Sequence, residues 1–285
     1  MRSLAEQRLL AEKASYEIDG LETLIAGKRH LLELLTEKRR ALMTYAVTCG
    51  LNPDARLRDS GIPWLGEVPA HWNITRLKFL AEVRGGLTLG KQYGASKLIE
   101  YPYLRVANVQ DGYLDLTSVT TVMIPAAEAL NNSLRYGDVL MNEGGDIDKL
   151  GRGCVWRDEI ENCLHQNHVF CVRPAAVSAE WLDLWTATET AKQYFFTRAK
   201  RSTNLASISG TNIGELPVPL PPEAEQGEIQ LYLSGETKKI DELIESTKST
   251  TTLLQERRSA LIAAAVTGQL ERAASAPCRE TELTA

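Results

Sequence analysis

LLTEKRRALMTYAVTCGL, residues 34–51, and LLQERRSALIAAAVTGQL, residues 253–270, are the same segment written twice. At an offset of 219 (253 − 34), 10 of their 18 positions are identical without a gap: both leucines, Glu37/Glu256, Arg39/Arg258, Ala41/Ala260, Leu42/Leu261, Ala46/Ala265, Val47/Val266, Thr48/Thr267 and Leu51/Leu270. The same offset lays Ala5-Glu6-Gln7 on Ala224-Glu225-Gln226. Most repeat proteins stack many adjacent copies. Two copies that bracket an insert can instead pair with each other. One helix enters the insert and the other leaves it, so a pair formed within the chain must be antiparallel.

The first copy lies in a stretch, residues 9–48, that reads as one helix. Ile18, Leu21, Ile25, Lys28, Leu32, Leu35, Arg39, Leu42 and Ala46 step 3,4,3,4, the seam of a coiled coil. Gly50, Asn52 and Pro53 end it. The second helix begins near Glu223. Its expected seam is Ile240, Leu243, Thr247, Thr250, Leu254, Arg257, Leu261 and Ala264, too polar to pair strongly without a partner helix. Ile18-Asp19 and Ile240-Asp241 match at an offset of 222 (240 − 18), which leaves open a one-turn shift between the copies.

Between the helices the 3.5-residue period disappears and Gly, Pro and β-branched residues increase. Strands are expected at Tyr103–Val109, Val119–Ile124, Asp138–Asn142, Gly153–Arg157 and Val169–Arg173, in a mainly antiparallel sheet. A helix is expected from Ser178 or Ala179 to Arg198, with shorter ones at Arg76–Glu82 and Pro125–Leu130. Leu216-Pro-Val-Pro-Leu-Pro-Pro222 reads as a stiff extended connector. The fold class is therefore α+β, a mixed unit at 52–222 flanked by long helices at 1–51 and 223–270, with a disordered tail at 271–285.

Composition narrows the function. Net charge is −5, and residues 52–221 hold 17 Lys+Arg against 19 Asp+Glu, so any nucleic-acid surface must segregate its cations. Five scattered cysteines suit a reducing compartment. No apolar run reaches the ~18 residues of a membrane span, and the first twenty residues are charged throughout; a cytoplasmic location without membrane contact is expected. No Gly-rich phosphate loop or GxGxxG appears. Asn52-Pro53-Asp54 lacks the second proline and the aromatic of an adenine-methyltransferase motif.

Four segments carry groups suited to DNA, which needs cations for phosphates and forked donors or acceptors for base edges. Residues 198–207 offer Arg198, Lys200 and Arg201, then Ser202, Thr203 and Asn204. The glycine-rich run 85–94 carries Lys91, Gln92 and Tyr93. Residues 142–152 include Asn142, Glu143 and Arg152; Glu143 or Asp146 could accept from a cytosine amino group. Gln166, Asn167 and His168 precede a strand, with buried strand residues as the competing reading. Cys163, His165, His168 and Cys171 also invite a zinc reading, but their spacing is compressed for a paired-ligand site. The five tryptophans read as core.

The order of fragments resembles the specificity subunit of type I restriction–modification systems, in a half-sized form with one target-recognition domain. Asp59–Trp72 (DSGIPWLGEVPAHW) is similar to that family's entry into a recognition domain, and Tyr103–Gly112 to its early strand. Gly137–Glu143 with Gly151-Arg-Gly resembles its middle, and Leu216–Pro222 with Glu225-Gln226 its exit into the conserved helix. The resemblance implies a non-catalytic reader of double-stranded DNA that needs no cofactor. Its partners would be a DNA adenine methyltransferase (M) subunit and a restriction (R) subunit. The charged runs Glu37-Lys-Arg-Arg40 and Gln255-Glu-Arg-Arg258 suit the methyltransferase, with an ordinary solvated coiled-coil face as the competing reading. It would pair as a homodimer or with a second half-subunit, so that two recognition domains read a bipartite target. Two other readings stand beside it: a truncated scaffold that binds the methyltransferase without DNA, and a zinc-dependent enzyme in the central unit.

Overall fold

A computed structural model describes residues 4–94, 96–145, 150–201, 205–267 and 269. In chain order the elements are α1 (Leu4–Cys49), β1 (Leu57–Asp59), β2 (Glu67–Pro69), β3 (Asn73–Arg76), β4 (Ala81–Arg84), β5 (Ile99–Leu104), β6 (Thr120–Ile124), α2 (Ala126–Asn132), β7 (Val139–Asn142) and β8 (Gly144–Gly145). There follow β9 (Gly153–Val155), β10 (Leu164–His165), β11 (Val169–Pro174), α3 (Ala179–Thr186), α4 (Glu189–Arg198), β12 (Lys200–Arg201), β13 (Ala206–Ser207), α5 (Gly210–Gly214), β14 (Pro217–Leu220) and α6 (Glu223–Val266). Contacts divide the chain into a helical unit, residues 1–39 with 235–285, and a mixed unit, residues 40–234.

In the helical unit α1 and α6 pair antiparallel. Arg39 Nε donates to Asp241 Oδ1 at 2.9 Å, and Arg258 Nη1 to Glu22 Oε1 at 3.1 Å, so the numbering rises on one helix as it falls on the other. These are one ion pair made twice: Glu22 and Asp241 are related by 219 (241 − 22), as are Arg39 and Arg258 (258 − 39). The seam expected on α1 is the inward face, with Leu21 and Ile25 buried and Ile18, Lys28, Leu32 and Leu35 partly so.

The seam expected on α6 needs correction. Ile240 and Thr247 are inside, but Leu243 is 56% exposed and Arg257 is exposed; the inward positions alternating with them are Ile244, Thr251 and Arg258. That set is the α1 seam advanced by 219 throughout, since Leu21 maps to Ile240, Ile25 to Ile244 and Leu32 to Thr251. There is no one-turn shift between the copies. An apolar residue at 243 attracts a seam assignment, but the choice between 243 and 244 belongs to the partner helix.

In the mixed unit a four-stranded antiparallel sheet, β4-β11-β7-β9, carries α3 against β7 and β9. A second sheet, β10-β5-β6, contains a parallel pair, β10 with β5. Trp72, Trp156, Trp181 and Trp185 are fully buried, and Trp64 stacks on Trp185 with centroids 6.4 Å apart, so the tryptophans are core. The proline-rich connector is extended as expected and also pairs as β14 with β3, where the Pro219 carbonyl accepts from Trp181 Nε1 at 2.9 Å. Pro is tolerated there because the ribbon has only two strands.

Three local expectations shift. The helix expected at 178–198 is two helices, because the Thr188 side chain caps α4 by accepting from the Ala191 N–H. The segment expected as a helix at 76–82 is a 3-10 turn, Leu77–Phe79, followed by β4, whose register on β11 consumes its backbone groups. The strand expected at Tyr103–Val109 runs earlier, as β5. Asn108 turns the chain there by bonding the Arg105 N–H and the Asp115 and Ser118 carbonyls. The expected tail, 271–285, lies outside the described residues.

The corrected phase is testable. Ile240→Ala should cost about 2 kcal/mol or more, and Leu243→Ala no more than about 0.5 kcal/mol, in urea unfolding followed by circular dichroism. A larger loss at 243 would restore the other phase.

Candidate nucleic-acid interface

The four sequence segments are far apart in the chain, and backbone bonds bring them into one row. At one end is the 85–94 run. Leu87 N–H donates to the His165 carbonyl at 2.8 Å, and Asn167 N–H to the Leu87 carbonyl at 3.2 Å. Gly86 makes this approach feasible, since a Cβ there would lie 2.2 Å from the His165 carbonyl oxygen. The 165–168 turn then joins the 142–145 strand end, where Glu143 N–H donates to the His168 carbonyl at 2.9 Å. Finally β8 pairs with β13 and β13 with β12, and the Ile208 N–H donates to the Glu143 carbonyl at 2.8 Å. The segment around Arg198–Arg201 is thereby held one strand beyond Glu143–Gly145, with β13 between them.

The side chains along this row differ. Lys91 is exposed, and its Nζ lies 2.6 Å from Glu128 Oε1, a bond that raises the lysine and holds the carboxyl below its ordinary range. Burial and then the neighbouring Glu128 raise the Tyr93 hydroxyl above its ordinary range, while Gln92 is exposed. His168 is exposed, with Nδ1 2.6 Å from Glu143 Oε2; Gln166 and Asn167 are partly exposed beside it. Arg152 Nη1 donates to Gln110 Oε1 at 2.7 Å. Arg201 is exposed but held in place: its guanidinium lies 3.8 Å over the Phe196 ring and donates to the Phe196 carbonyl. No carboxylate of a described residue lies within ion-pair distance of Arg198, Lys200 or Arg201. Ser202, Thr203, Asn204 and Asp146 lie outside the described residues.

Asn142 is placed differently from the base contact expected of it. It is buried, and its amide donates to the Val109 and Val106 carbonyls, so it braces β7 against the 106–109 turn. Period-2 alternation does not reveal this, because all four residues of β7 are buried. Gln110, which orients Arg152, and Glu128, which holds Lys91, were not singled out by sequence. Each acts on a residue far from it in the chain, and only the folded register shows the pairing.

The zinc reading fails on direction. Cys163 and Cys171 lie in the apolar core, where burial pushes the Cys163 thiol up to about 12. His165 is buried with Nδ1 bound to the Val169 carbonyl at 2.7 Å, and His168 turns out to Glu143. Among the described residues no group of three or more His, Cys, Asp or Glu side chains could hold a metal ion.

With this geometry in place, the relatives are informative. No protein-family model matches the chain. The protein assigned as the MjaX type I restriction enzyme specificity subunit in Methanocaldococcus jannaschii is 30% identical over 174 residues, 60% of this chain and 40% of that protein. The EcoKI type I restriction enzyme specificity subunit of Escherichia coli K12 is 24% identical over 245 residues, 82% of this chain and 50% of that protein. In fold, a chain from a structure of type I R-M complex assembly and conformational transition matches 95% of this chain and 61% of its own length at TM-score 0.65 and 19% identity. The HsdS subunit from Thermoanaerobacter tengcongensis matches 95% of this chain and 60% of its own at TM-score 0.54 and 17% identity. By sequence this chain is thus similar to type I restriction enzyme specificity subunits, and its fold is similar to that of HsdS. It spans about half the length of the curated relatives it matches. Among the described residues no helix is long and apolar enough to cross a membrane.

One pH effect follows. Burial holds His165 below its ordinary 6.5, helped by the charges of Arg84 and Arg173 and opposed by the Val169 carbonyl and Asp138. The fold favours the neutral ring, so its contribution is fully present above about pH 6.5 and is lost as pH falls toward the lower folded value. Urea midpoints should drop from pH 6.5 to 5, and His165→Asn should flatten that slope. An unchanged slope would mean the ring is not the group responsible.

Proposed function

We propose that this chain is the non-catalytic DNA-specificity subunit of a type I restriction–modification system. The mixed unit reads one half of a bipartite target, and the chain positions methyltransferase and restriction subunits. The observation that carries this reading is the single row of loops, which ends in the cations Arg198, Lys200 and Arg201 on β12 and its approach. Cations gathered this way reconcile phosphate binding with a net charge of −5. Polar groups at Gln92, Glu143, Gln166, Asn167 and His168 lie along the same row, where base edges can be read. The chain works in the cytoplasm, where its DNA and its partner enzymes are.

Support for partner docking comes from the helical unit. Leu24 and Leu243, related by 219 (243 − 24), are both exposed, as are Leu34 and Leu253 (253 − 34). The charged runs 37–40 and 255–258 accompany them, and both suit helices of a methyltransferase subunit.

A second recognition unit is supported by a contrast between the two copies of the repeat. In the mixed unit Ala46, Val47 and Thr48 are buried, and Val47 packs at 0% exposure in the cluster with Val68 and Trp72. The equivalent Val266 is 84% exposed, and Thr267 is exposed. The same residues that one recognition unit covers in the first copy are thus left open in the second. The occupant is a second recognition unit, carried by a second copy of this chain or by a different half-subunit.

Two outcomes check this. Arg201→Ala should weaken binding to duplex DNA and lower the slope of log K against log salt by about 1; unchanged affinity and slope would mean the β12 segment does not touch phosphate. Val266→Asp should abolish assembly with the second half-subunit in sedimentation while leaving the melting temperature unchanged, whereas Val47→Asp should unfold the mixed unit. Normal assembly of the 266 variant would remove this surface from the account.

A further inference from the structure

Glu143 sits at the centre of the row, between the two loops that flank it. Its N–H is bonded to the His168 carbonyl and its own carbonyl to the Ile208 N–H, so its backbone cannot shift without breaking both neighbours. Gly144 follows with no side chain, and a Cβ there would lie 2.5 Å from the Ala206 carbonyl oxygen, so β13 closes tightly behind it. The side chain is directed outward at 29% exposure, and His168 Nδ1 holds Oε2 at 2.6 Å. Oε1 has no hydrogen-bond partner among the described residues.

A fixed carboxylate in this position is costly if the row only binds phosphate. It repels the backbone that Arg198, Lys200 and Arg201 attract, and a shape-reading surface gains nothing from it. It does have a use against a base edge. In the major groove only cytosine N4 and adenine N6 present amino hydrogens, and a carboxylate is an acceptor with no donor to offer the oxygens of guanine or thymine. His168 engages one oxygen and leaves the other without a partner among the described residues, which orients the acceptor without a contact of His168 to the base.

We propose that Glu143 is a specificity-determining residue, its free carboxylate oxygen accepting a hydrogen bond from an exocyclic base amine in the DNA major groove, with His168 as its positioning residue. This rests on the DNA-reading function proposed above. Cytosine N4 and adenine N6 both supply such an amine, and the selected sequence distinguishes the two.

The test is selection of bound duplexes from a random-sequence library by the purified full chain, by Glu143→Gln and by His168→Gln. The wild type should enrich one position for cytosine or adenine. In E143Q, an isosteric change that adds a donor, a position selected as cytosine should lose discrimination roughly 10- to 100-fold or turn toward adenine, and a position selected as adenine should be read more strictly because the amide also donates to adenine N7, with other positions kept. In H168Q, whose amide can still donate to Glu143, the same position alone should relax more weakly, which a general structural defect would not produce. If the wild type selects a sequence and E143Q selects it with equal discrimination, the inference about Glu143 is wrong and the DNA-reading function stands. If the wild type enriches no sequence and its affinity does not depend on salt, the DNA-reading function itself is wrong.

Discussion

The register between α1 and α6 is the constraint on which the helical unit depends, and it is set by an ion pair used twice. Arg39 meets Asp241 and Arg258 meets Glu22, with side chains 37–55% exposed. Pairs this exposed contribute at most about 1 kcal/mol each, so they do not hold the helices together. Burial of Leu21, Ile25 and Ile240 does that, at roughly 1.5–3 kcal/mol for each fully buried side chain. What the ion pairs supply is discrimination. A slip of one heptad would leave the apolar seam matched in period but would strand both arginines, Arg39 and Arg258, which lie at equivalent seam positions. Because the two helices carry the same code 219 residues apart, one solution satisfies both pairs.

A similar economy governs the mixed unit. The loops that could read DNA are not independent hairpins. Glu143 is bonded to the turn before it in space and the strand after it, and Leu87 is bonded to that turn in its place. Rigidity of this kind costs little at the moment of binding, since ordering entropy has been met in folding. It also explains the acids in the row. Glu128 holds Lys91 in a defined position, and Glu143 is itself held by His168.

Much of this was legible in the sequence. The repeat, the α1 seam and the antiparallel pairing follow from spacing and composition. The α6 phase did not follow from hydrophobicity, because Thr247, Thr251 and Arg258 are inward and Leu243 is outward. The information was nevertheless present: advancing the α1 seam by 219 names Ile244 and Thr251 directly. The break at Thr188 and the burial of Asn142 were less accessible. One is a side-chain cap inside an apolar face, and the other is a polar residue whose partners, Val106 and Val109, are more than thirty positions away. The role of Gln110 behind Arg152 was out of reach for the same reason.

The central claim is that four distant loops form one DNA-reading surface. Amide hydrogen exchange of the full chain, with and without a duplex carrying its selected sequence, tests it most directly. The account predicts protection gained together at 85–94, 142–145, 166–168 and 198–207, with the amides of the α1–α6 seam unchanged. Protection confined to the helices, or to only one of the four loops, would contradict it.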